Sequence, residues 1–461
     1  MTVDRVVIIG ASAAGLFAAA AAAGDGRKVI LVERDHLDES EAQARPGVPQ
    51  GRQPHVFLYR GLLAAEELLP GLRADLLGAG AIPVDTAALA WLGPNGWTAR
   101  NSPSYQVFST TRPLLEAIIR RRVLALPGVE IRNARTVVDI RPTEPGPVPP
   151  DNGGWTVDLD DGTTVVGDLV VDASGRNSRL PHWLADHASG NVRTTEIDAK
   201  IGYATRMYRG RPDLGDVPGV VIASTPDEPA GGLALPVEDG RWLIGAVGFG
   251  YRRPTRDAAE FDEFLFGLRD PALWQLAQRM EPISEVFLHR QTGNRRRHYE
   301  EQRDWPDGLL VVGDAFCAFN PVYGQGIAVA ACEAVLLRKA LRSGLAPGSC
   351  RRLLREFAAV TELPWSIATG QDLRYSSSEQ QPTRLGALSN RWASELDRLS
   401  VHGNVRAADT LGGVYHLMAA PRLLFHPALI RASIRGRLLG YGRPAQRPTG
   451  LPALEEPRPP R

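Results

Sequence analysis

The chain has 461 residues, with 53 Lys or Arg and 52 Asp or Glu, so its formal net charge is +1. Proteins that bind nucleic acid as their main partner usually carry a basic excess, and this balance argues against such a role. The length suffices for about three structural units, and 43% hydrophobic residues are ordinary for a globular chain.

The three cysteines are Cys317, Cys332 and Cys350, too few for a disulfide framework and without a CxxC pair. This usage is typical of a reducing compartment, so we expect a cytoplasmic protein. The nine histidines are scattered and show no metal-ligand spacing, so no metal site is predicted.

The N-terminus predicts a strand–turn–helix–strand unit. Val6–Ile9 is a short apolar run typical of a buried strand, and Gly10–Gly15 reads as a tight turn. An Ala-rich helix follows at Leu16–Ala23, and a second buried strand at Arg27–Val32 ends at Glu33. A βαβ unit with a glycine-rich turn and an acidic residue at this distance is typical of dinucleotide binding.

The chemistry of such a turn explains its residues. Gly10 permits the sharp turn, and Gly15 permits close packing of the helix on the strand. The helix N-terminus offers N–H groups to a pyrophosphate, and Glu33 can accept hydrogen bonds from ribose hydroxyls. Ser12 stands where a middle glycine is usual, and it is small enough for close approach of a phosphate.

The middle of the chain repeats the pattern of a strand that ends in a small-residue loop. Val129–Ile140 has strand character, and a hairpin, Trp155–Leu159 with Thr163–Val166, follows a proline-rich loop. A buried strand over Asp168–Ala173 leads into Ser174-Gly175-Arg176.

Further along, strand Leu309–Val312 ends in Gly313-Asp314. A glycine-rich loop then opens an apolar helix from Ile327 to about Leu341, whose N-terminal dipole favours an anionic or electron-rich group.

The C-terminal part is predicted to be helical, with amphipathic helices over Arg351–Thr361 and Leu385–Leu399 and a long connection over Pro364–Tyr375 between them. Leu423–Leu439 is apolar but carries several arginines, and its helix should start near Pro427. Such a helix can lie on a membrane or a partner. A helix docked on the rest of the chain is the simpler interpretation.

Three motifs occur in a characteristic order: Gly10–Gly15 with Glu33, the segment Asp168–Arg179, and Gly313-Asp314 followed by Pro321–Gly326. Over roughly residues 3–345 the chain therefore resembles FAD-dependent monooxygenases of the para-hydroxybenzoate-hydroxylase fold. Three further segments are similar to the actinomycete branch that includes the flavin epoxidases of polyether-type polyketide pathways. They are Arg45–Arg52, Gly202–Arg206 and Asn294–Tyr299.

The resemblance implies an α/β fold. A Rossmann-like, glutathione-reductase-like FAD-binding domain would be interleaved with a mixed β-sheet substrate domain, and a helical region would follow. The implied divisions are 1–80, 107–181 and 292–345 for the FAD-binding domain, 81–106 and 182–291 for the substrate domain, 346–441 for the helical region, and 442–461 for a disordered tail.

The resemblance also implies where the ligands bind. The residues it places at FAD are Gly10, Ser12, Ala13, Ala14, Gly15, Glu33, Arg34, Gln50, Arg112, Val137, Gly313, Asp314, Pro321, Gly324, Gln325, Gly326 and Ile327. Tyr203, Arg206 and Trp242 are predicted to line the substrate site. No protein residue is assigned a catalytic role, and no metal is expected.

The implied activity is epoxidation or hydroxylation of a large apolar secondary metabolite, a polyketide intermediate of antibiotic biosynthesis, through a flavin C4a-hydroperoxide. Ser174 replaces the Asp of an Asp-Gly pair that the aromatic hydroxylases carry, and Cys317 replaces a frequent His. NADPH, NADH and a partner flavin reductase therefore stay open as electron sources. The expected partner is otherwise the small-molecule substrate, with no nucleic acid and no transmembrane span.

A different class of function is also compatible with these motifs. Some flavoproteins of this fold hold FAD as a structural element and catalyse a non-redox [4+2] cyclisation that closes a decalin in a polyene polyketide. The pocket then acts by holding the polyene in a reactive conformation.

Overall fold

The computed structural model describes residues 3–38, 42–99, 105–143, 154–187 and 191–453. Its strands are Arg5–Ile9 (β1), Lys28–Glu33 (β2), Ile82–Asp85 (β3), Ala90–Gly93 (β4), Gly96–Trp97 (β5), Gln106–Ser109 (β6), Val129–Asn133 (β7), Val137–Pro142 (β8), Trp155–Leu159 (β9), Thr164–Gly167 (β10), Leu169–Asp172 (β11), Thr194–Ile197 (β12), Ile201–Arg209 (β13), Val220–Ile222 (β14), Ala230–Val237 (β15), Arg241–Phe249 (β16), Glu281–Pro282 (β17), Phe287–His289 (β18), Asn294–Arg297 (β19), Leu309–Val311 (β20) and Cys317–Ala318 (β21).

The α-helices connect these strands and dominate the C-terminal part. They are Ala13–Ala22 (α1), Tyr59–Leu68 (α2), Leu72–Gly78 (α3), Arg112–Leu124 (α4), Leu180–His187 (α5), Ala258–Phe266 (α6), Ala272–Ala277 (α7), Gly326–Ser343 (α8), Ser349–Asp372 (α9), Arg384–Val401 (α10), Val405–Tyr415 (α11) and Pro427–Leu439 (α12).

A five-stranded parallel sheet in the order β20-β11-β1-β2-β7 forms the first layer. Its central strands β1 and β11 are mainly apolar, and all of their residues except Arg5 are buried, as expected for a sheet covered on both faces. Helix α1 packs against both α8 and α4 beside this sheet. The predicted α/β fold class with a Rossmann-like unit is confirmed.

An eight-stranded mixed sheet forms a second layer in the order β17-β13-β16-β15-β14-β4-β5, with β18 also paired to β13. Helices α6 and α7 contribute Phe261, Leu265 and Leu273 to its own buried core. A smaller sheet, β12-β19-β21, joins Thr194–Ile197 to Asn294–Arg297. The division of the chain into domains stays a prediction, and this pairing crosses one of its boundaries.

The segment with strand character, Val129–Ile140, forms two strands in the structure. Ala134 has a left-handed backbone, with φ +53°, so the chain turns there. The two halves, β7 and β8, join different sheets: β7 extends the parallel sheet beside β2, and β8 pairs with β9.

The predicted connection over Pro364–Tyr375 is wrong, because α9 runs without interruption from Ser349 to Asp372 and contains Pro364. Proline removes one backbone N–H donor from a helix and usually ends it. Here the buried face formed by Leu353, Leu354 and Phe357 anchors the helix before the proline. The predicted start of α12 at Pro427 agrees with the structure.

The predicted disorder of residues 442–461 does not hold for residues 442–453. Arg447 forms two hydrogen bonds to the carboxylate of Asp270, at 2.7 and 3.1 Å, and Leu451 is buried in the core of the eight-stranded sheet. The composition predicted that the entropy cost of ordering this segment would keep it disordered. The ion pair and the burial of apolar surface offset that cost. Residues 454–461 lie outside the described residues.

Candidate functional site

One cleft lies at the carboxyl ends of the parallel strands β1, β2, β11 and β20. In an open α/β sheet this edge is where ligands bind. The loops after β1 and β20 meet there closely: a Cβ atom at Gly313 would lie 2.5 Å from the Cβ of Ala14, and Gly313 has φ +60°. Only glycine satisfies both constraints.

Sixteen of the seventeen residues predicted to contact FAD line this cleft. They are Gly10, Ser12, Ala13, Ala14, Glu33, Arg34, Gln50, Arg112, Val137, Gly313, Asp314, Pro321, Gly324, Gln325, Gly326 and Ile327. Gly15 instead lies beneath the turn, where an added Cβ would meet the carbonyl oxygen of Gly10 at 1.8 Å. The structure thus gathers the three motifs around one space, and their contacts with FAD stay a prediction.

The turn after β1 depends on Gly10, which has φ +98°. A Cβ at this position would lie 2.6 Å from the carbonyl oxygen of Ala173, at the end of β11. Helix α1 then begins after Ser12, whose side chain makes no capping bond. The N–H groups at the start of α1 therefore face the cleft without a side-chain partner that would compete with a phosphate.

A buried chain of charges, which we call the strand-end network, borders this part of the cleft. It consists of Ser12, Glu33, Arg45, Arg112 and Glu116. The guanidinium of Arg45 lies 3.0 Å from Glu33 and 3.2 Å from Glu116. Glu116 also accepts hydrogen bonds from Nε of Arg112 and from the hydroxyl of Ser12, both at 2.7 Å.

The two guanidinium groups determine the charge of Glu116. Burial on its own would raise the pKa of this carboxyl, but Arg112 and Arg45 outweigh burial and lower the pKa to about 2. Glu116 is therefore an anion at every ordinary pH. In this way the network holds the side chain of Arg112 at the wall of the cleft.

Glu33 is already engaged by its own chain. Its carboxylate accepts the backbone N–H of Ala11 at 2.7 Å and that of Asp35 at 2.9 Å, in addition to Arg45. A ribose hydroxyl would join this set. Arg45 lines the cleft and was missed by the site prediction, although the segment that begins with it carried part of the family resemblance. Arg45 pairs with Glu33 and Asp35, which lie a few positions earlier, and with Glu116, which lies 71 positions later. No local pattern indicated the pairing with Glu116.

The opposite part of the cleft, which we call the open end, is formed by His55, Asp314 and Gln325. Asp314 has no hydrogen-bond partner within the described chain. Burial raises its pKa, while Arg176 and Arg112 act in the opposite sense. Both amide atoms of Gln325 are buried and likewise lack partners among the described residues. Buried polar groups are nearly always hydrogen-bonded in native proteins, so these groups fit a polar ligand such as the hydroxyls and ring edge of FAD.

Glu333 on α8 lies directly behind the open end. One of its carboxyl oxygens accepts the N–H of Gly313 at 2.7 Å, and the other is buried without a partner in the described structure. Burial raises the pKa of Glu333 to about 8 against the effect of that hydrogen bond, and the charge of Asp314 raises it further. Glu333 is therefore mainly a neutral acid near pH 7.

Two histidines on the cleft wall are held neutral. Nδ1 of His55 lies 2.6 Å from the carbonyl oxygen of Gln53. A carbonyl can only accept, so Nδ1 carries the proton and Nε2 carries the lone pair. Burial and the neighbouring Arg112 lower the pKa of His55 to about 3. Burial also lowers the pKa of His289, whose Nε2 donates to the carbonyl of Gln291 at 3.1 Å.

The loop before α8 is fixed by a buried polar cluster. Asn320 donates to both oxygens of Asp372, which also accepts hydrogen bonds from Tyr323 at 2.6 Å and Asn294 at 2.6 Å. Burial, partly offset by these donors, raises the pKa of Asp372 to about 6. Helix α9 thus positions the loop through its last residue, a contact that the sequence did not reveal.

None of the three residues predicted to line the substrate site faces this cleft in the described structure. The hydroxyl of Tyr203 donates to Asn320 in the polar cluster, and Nε of Arg206 donates to the carbonyl of Ser284. Trp242 is packed in the core of the eight-stranded sheet, because its position on β16 faces α6 and α7. Trp242 is therefore best explained as a core residue.

The comparisons with known proteins agree with this geometry. Residues 5–48, which include β1, α1 and β2, match the FAD binding domain family. The chain is also 31% identical over 451 residues to Protein Rv3254 of Mycobacterium tuberculosis, with 91% of this chain and 92% of that protein covered. The chain belongs to the family of Protein Rv3254. The similarity extends over nearly the whole length of both proteins, and the match to the FAD binding domain family lies at the N-terminus of this chain.

Three solved enzyme structures share the fold. The flavin-dependent brominase Bmp2 has a TM-score of 0.63 at 16% identity and covers 95% of this chain and 99% of its own. The Diels-Alderase PyrE3 of the pyrroindomycin pathway has a TM-score of 0.58 at 16% identity, with 90% and 81% covered. The anhydrotetracycline hydroxylase OxyS from Streptomyces rimosus has a TM-score of 0.55 at 19% identity, with 91% and 77% covered. At these identities the similarity shows the fold alone.

Proposed function

We propose that this protein is an FAD-dependent monooxygenase that transfers one oxygen atom of O₂ to a large apolar secondary metabolite, by epoxidation or hydroxylation. The observation that carries the proposal is the cleft itself. It brings the Gly10–Gly15 turn, the strand-end network and two polar side chains together at one sheet edge. The two side chains are Asp314 and Gln325, which have no hydrogen-bond partner within the described chain. When bound, FAD would supply the oxygen-activating redox chemistry.

In this proposal the strand-end network holds the adenosine and pyrophosphate part of FAD. Gly10 and the start of α1 would receive the pyrophosphate, and Glu33 would accept a ribose hydroxyl. Arg112 would reach the cofactor from a guanidinium already fixed by Glu116 at 2.6 Å. Because these groups are paired before any ligand binds, little side-chain entropy is lost on binding.

The open end would hold the ribityl chain and the flavin ring. Asp314 would accept a hydroxyl hydrogen bond, and the amide of Gln325 would face the ring edge. The N-terminus of α8, which starts without a side-chain cap, would stabilise negative charge on the ring. His55 would stay neutral and present the lone pair of Nε2, which can accept a proton or a hydrogen bond without adding charge.

The substrate class and the biosynthetic setting are part of the proposal. Epoxidation or hydroxylation by this chemistry requires no protein nucleophile, and a pair of neutral histidines suits a site that must exclude water around an oxidant. Among the similar structures, PyrE3 acts in the biosynthetic pathway of pyrroindomycins and OxyS is an anhydrotetracycline hydroxylase. We propose a polyketide intermediate as substrate, related to those of the polyether-type pathways, and a cytoplasmic site of action.

The second candidate is a non-redox cyclase that holds FAD structurally and closes a decalin ring by [4+2] addition. The observation in its favour is the similarity to the Diels-Alderase PyrE3 over 90% of this chain. The cyclase would use the same cleft, since this reaction needs only bound FAD and an apolar space of suitable shape.

One experiment separates the two functions. The purified protein is checked for the absorbance of bound FAD and mixed with a candidate polyene and NADPH or NADH, with and without a flavin reductase. Flavin bleaching with substrate-dependent O₂ uptake and an oxygenated product supports the monooxygenase. Conversion under anaerobic conditions with oxidised flavin, to a product isomeric with the substrate, would establish the cyclase instead. Failure to bind FAD would overturn both.

A further inference from the structure

The described surface concentrates its exposed apolar side chains in one place. Of the thirteen large hydrophobic residues that are exposed, seven fall between residues 418 and 439. They are Met418, Leu423, Phe425, Ile430, Ile434, Leu438 and Leu439. Clustered exposed apolar residues of this kind mark interaction sites in soluble proteins. The surface formed by residues 421–443 is called the α12 surface below.

Helix α12 is docked by one face only. Leu429, Ser433 and Gly436 are buried, and the hydroxyl of Ser433 donates to Glu395 on α10 at 2.7 Å. Positions four apart share a side of a helix. Ile430, Ile434 and Leu438 therefore form a stripe on the side turned away from the buried face, and Ile434 and Leu438 are 53% and 77% exposed.

Arginines border this stripe. Arg431 and Arg435 flank it on one side, Arg437 flanks it on the other, and Arg422 and Arg443 lie before and after the helix. Residues 421–443 contain no Asp or Glu. Arg437 is paired with Glu395 at 3.1 Å, whereas the other four arginines have no ion-pair partner in the described part of the chain.

An apolar stripe bordered by unpaired arginines matches the chemistry of an interfacial helix, which buries its apolar side at the headgroup boundary and places its cations among anionic headgroups. The described residues include no helix long and apolar enough to cross a bilayer. We propose that the α12 surface binds the surface of an anionic lipid bilayer. The inference is independent of the reaction that the cleft catalyses.

The charge pattern favours a bilayer over a second copy of this chain. Two copies meeting through this face would bring five arginines from each side together with no acidic residue in either segment to compensate. Like charges at an interface cost free energy. An anionic bilayer surface supplies the complementary charge, at about 1 kcal/mol for each arginine close to it.

The test uses the full-length protein with bound FAD and two kinds of vesicle, one of phosphatidylcholine alone and one with roughly a third of phosphatidylglycerol. We expect co-flotation with the anionic vesicles that weakens as salt is raised, and little with the neutral ones. Two double variants probe the surface: Ile434→Ser with Leu438→Ser, and Arg431→Glu with Arg435→Glu. Each should lower the partition coefficient at least about tenfold.

A matched control carries the same kinds of substitution elsewhere, at Leu77→Ser with Arg211→Glu, both exposed. It should bind as the unmodified protein does, and all variants should keep their FAD absorbance and melting temperature. The proposal is overturned if the unmodified protein ignores anionic vesicles, if it binds neutral ones equally, or if both double variants still bind. It is also overturned if sedimentation shows a dimer that the Ile434 and Leu438 substitutions dissociate, because the surface then belongs to a second copy.

Discussion

The two parts of the cleft solve the burial of polar groups in opposite ways. In the strand-end network every carboxylate has cationic or N–H partners within the chain, and the pKa of Glu116 falls to about 2. At the open end Asp314 and Gln325 have no partners in the described structure, and the pKa of Glu333 behind them rises to about 8. The polar groups of the strand-end network therefore have partners before a ligand binds. The polar groups of the open end would gain partners only from a bound ligand. The difference separates residues that are paired within the chain from residues that we propose bind the cofactor.

The largest expected effect is a loss of stability when the strand-end network is broken. Glu116→Ala would leave the guanidiniums of Arg45 and Arg112 buried without their shared carboxylate. Breaking a buried ion pair from one side costs about 3–5 kcal/mol, and urea unfolding of the FAD-free protein should show this loss. Glu67→Ala is the control, since Glu67 is 60% exposed in its pair with Arg338 and should change stability by less than about 1 kcal/mol. Equal effects of the two substitutions would mean that the network does not stabilise the fold.

The next effect tests close packing beneath the same region. In Gly15→Ala the new Cβ would meet the carbonyl oxygen of Gly10, so α1 must move away from β1. We expect a loss of about 1–3 kcal/mol in thermal or urea unfolding, as for other overpacked sites, together with weaker FAD binding. Gly78→Ala, in a helix with nothing within 4 Å of the added atom, is the matched control. If both variants behave alike, the contact of α1 with β1 is less constrained than the structure indicates.

At the open end, by contrast, we expect substitutions to change FAD affinity more than stability. Asp314→Asn and Gln325→Ala should each weaken FAD affinity by roughly 10- to 100-fold for a lost hydrogen bond, the larger value applying to the charged group. Titration of the FAD-free protein by flavin fluorescence measures this change. Neither substitution removes a hydrogen bond within the described chain, so the stability of the FAD-free protein should fall much less than in Glu116→Ala. A loss of stability with unchanged FAD affinity would place these residues in the fold instead of the cofactor site.

Within a single pH unit, the smallest expected effect is the change of stability with pH that Glu333 causes. Glu333 loses its proton near pH 8 when folded and near pH 4.5 when unfolded, so stability should fall as pH rises between these values, by at most about 1.4 kcal/mol per unit. Glu333→Gln should flatten this slope in urea unfolding measured from pH 5 to 8. Glu116 shows the opposite behaviour, because its contribution is present above pH 4.5 and is lost as pH falls towards 2. An unchanged slope in Glu333→Gln would show that Glu333 titrates normally in the folded protein.

Much of the site could be predicted from sequence because its motifs are local. Gly10 follows β1 directly, Glu33 is the last residue of β2, and Gly313-Asp314 begins two positions after the end of β20. Parallel strands place their carboxyl ends at one edge. The prediction failed where a local pattern had two physical outcomes. The turn at Ala134 divides the strand-like segment Val129–Ile140 into two strands, and burial of neighbouring residues carries α9 through Pro364. Arg447 and Leu451 ordered a segment whose composition predicted disorder.

The sequence by itself determined the α/β class, the FAD-binding motif and the residues that meet around the cleft, because glycine, acidic side chains and strand periodicity act over a few positions. Only the tertiary structure decided which polar and charged side chains pair with one another. Arg45 and Glu116 lie 71 positions apart, Asp372 and Asn320 lie 52 apart, and the exposed stripe on α12 is defined by what α10 does not cover. Pairing and exposure depend on distances in space, and no local pattern of residue types contains them.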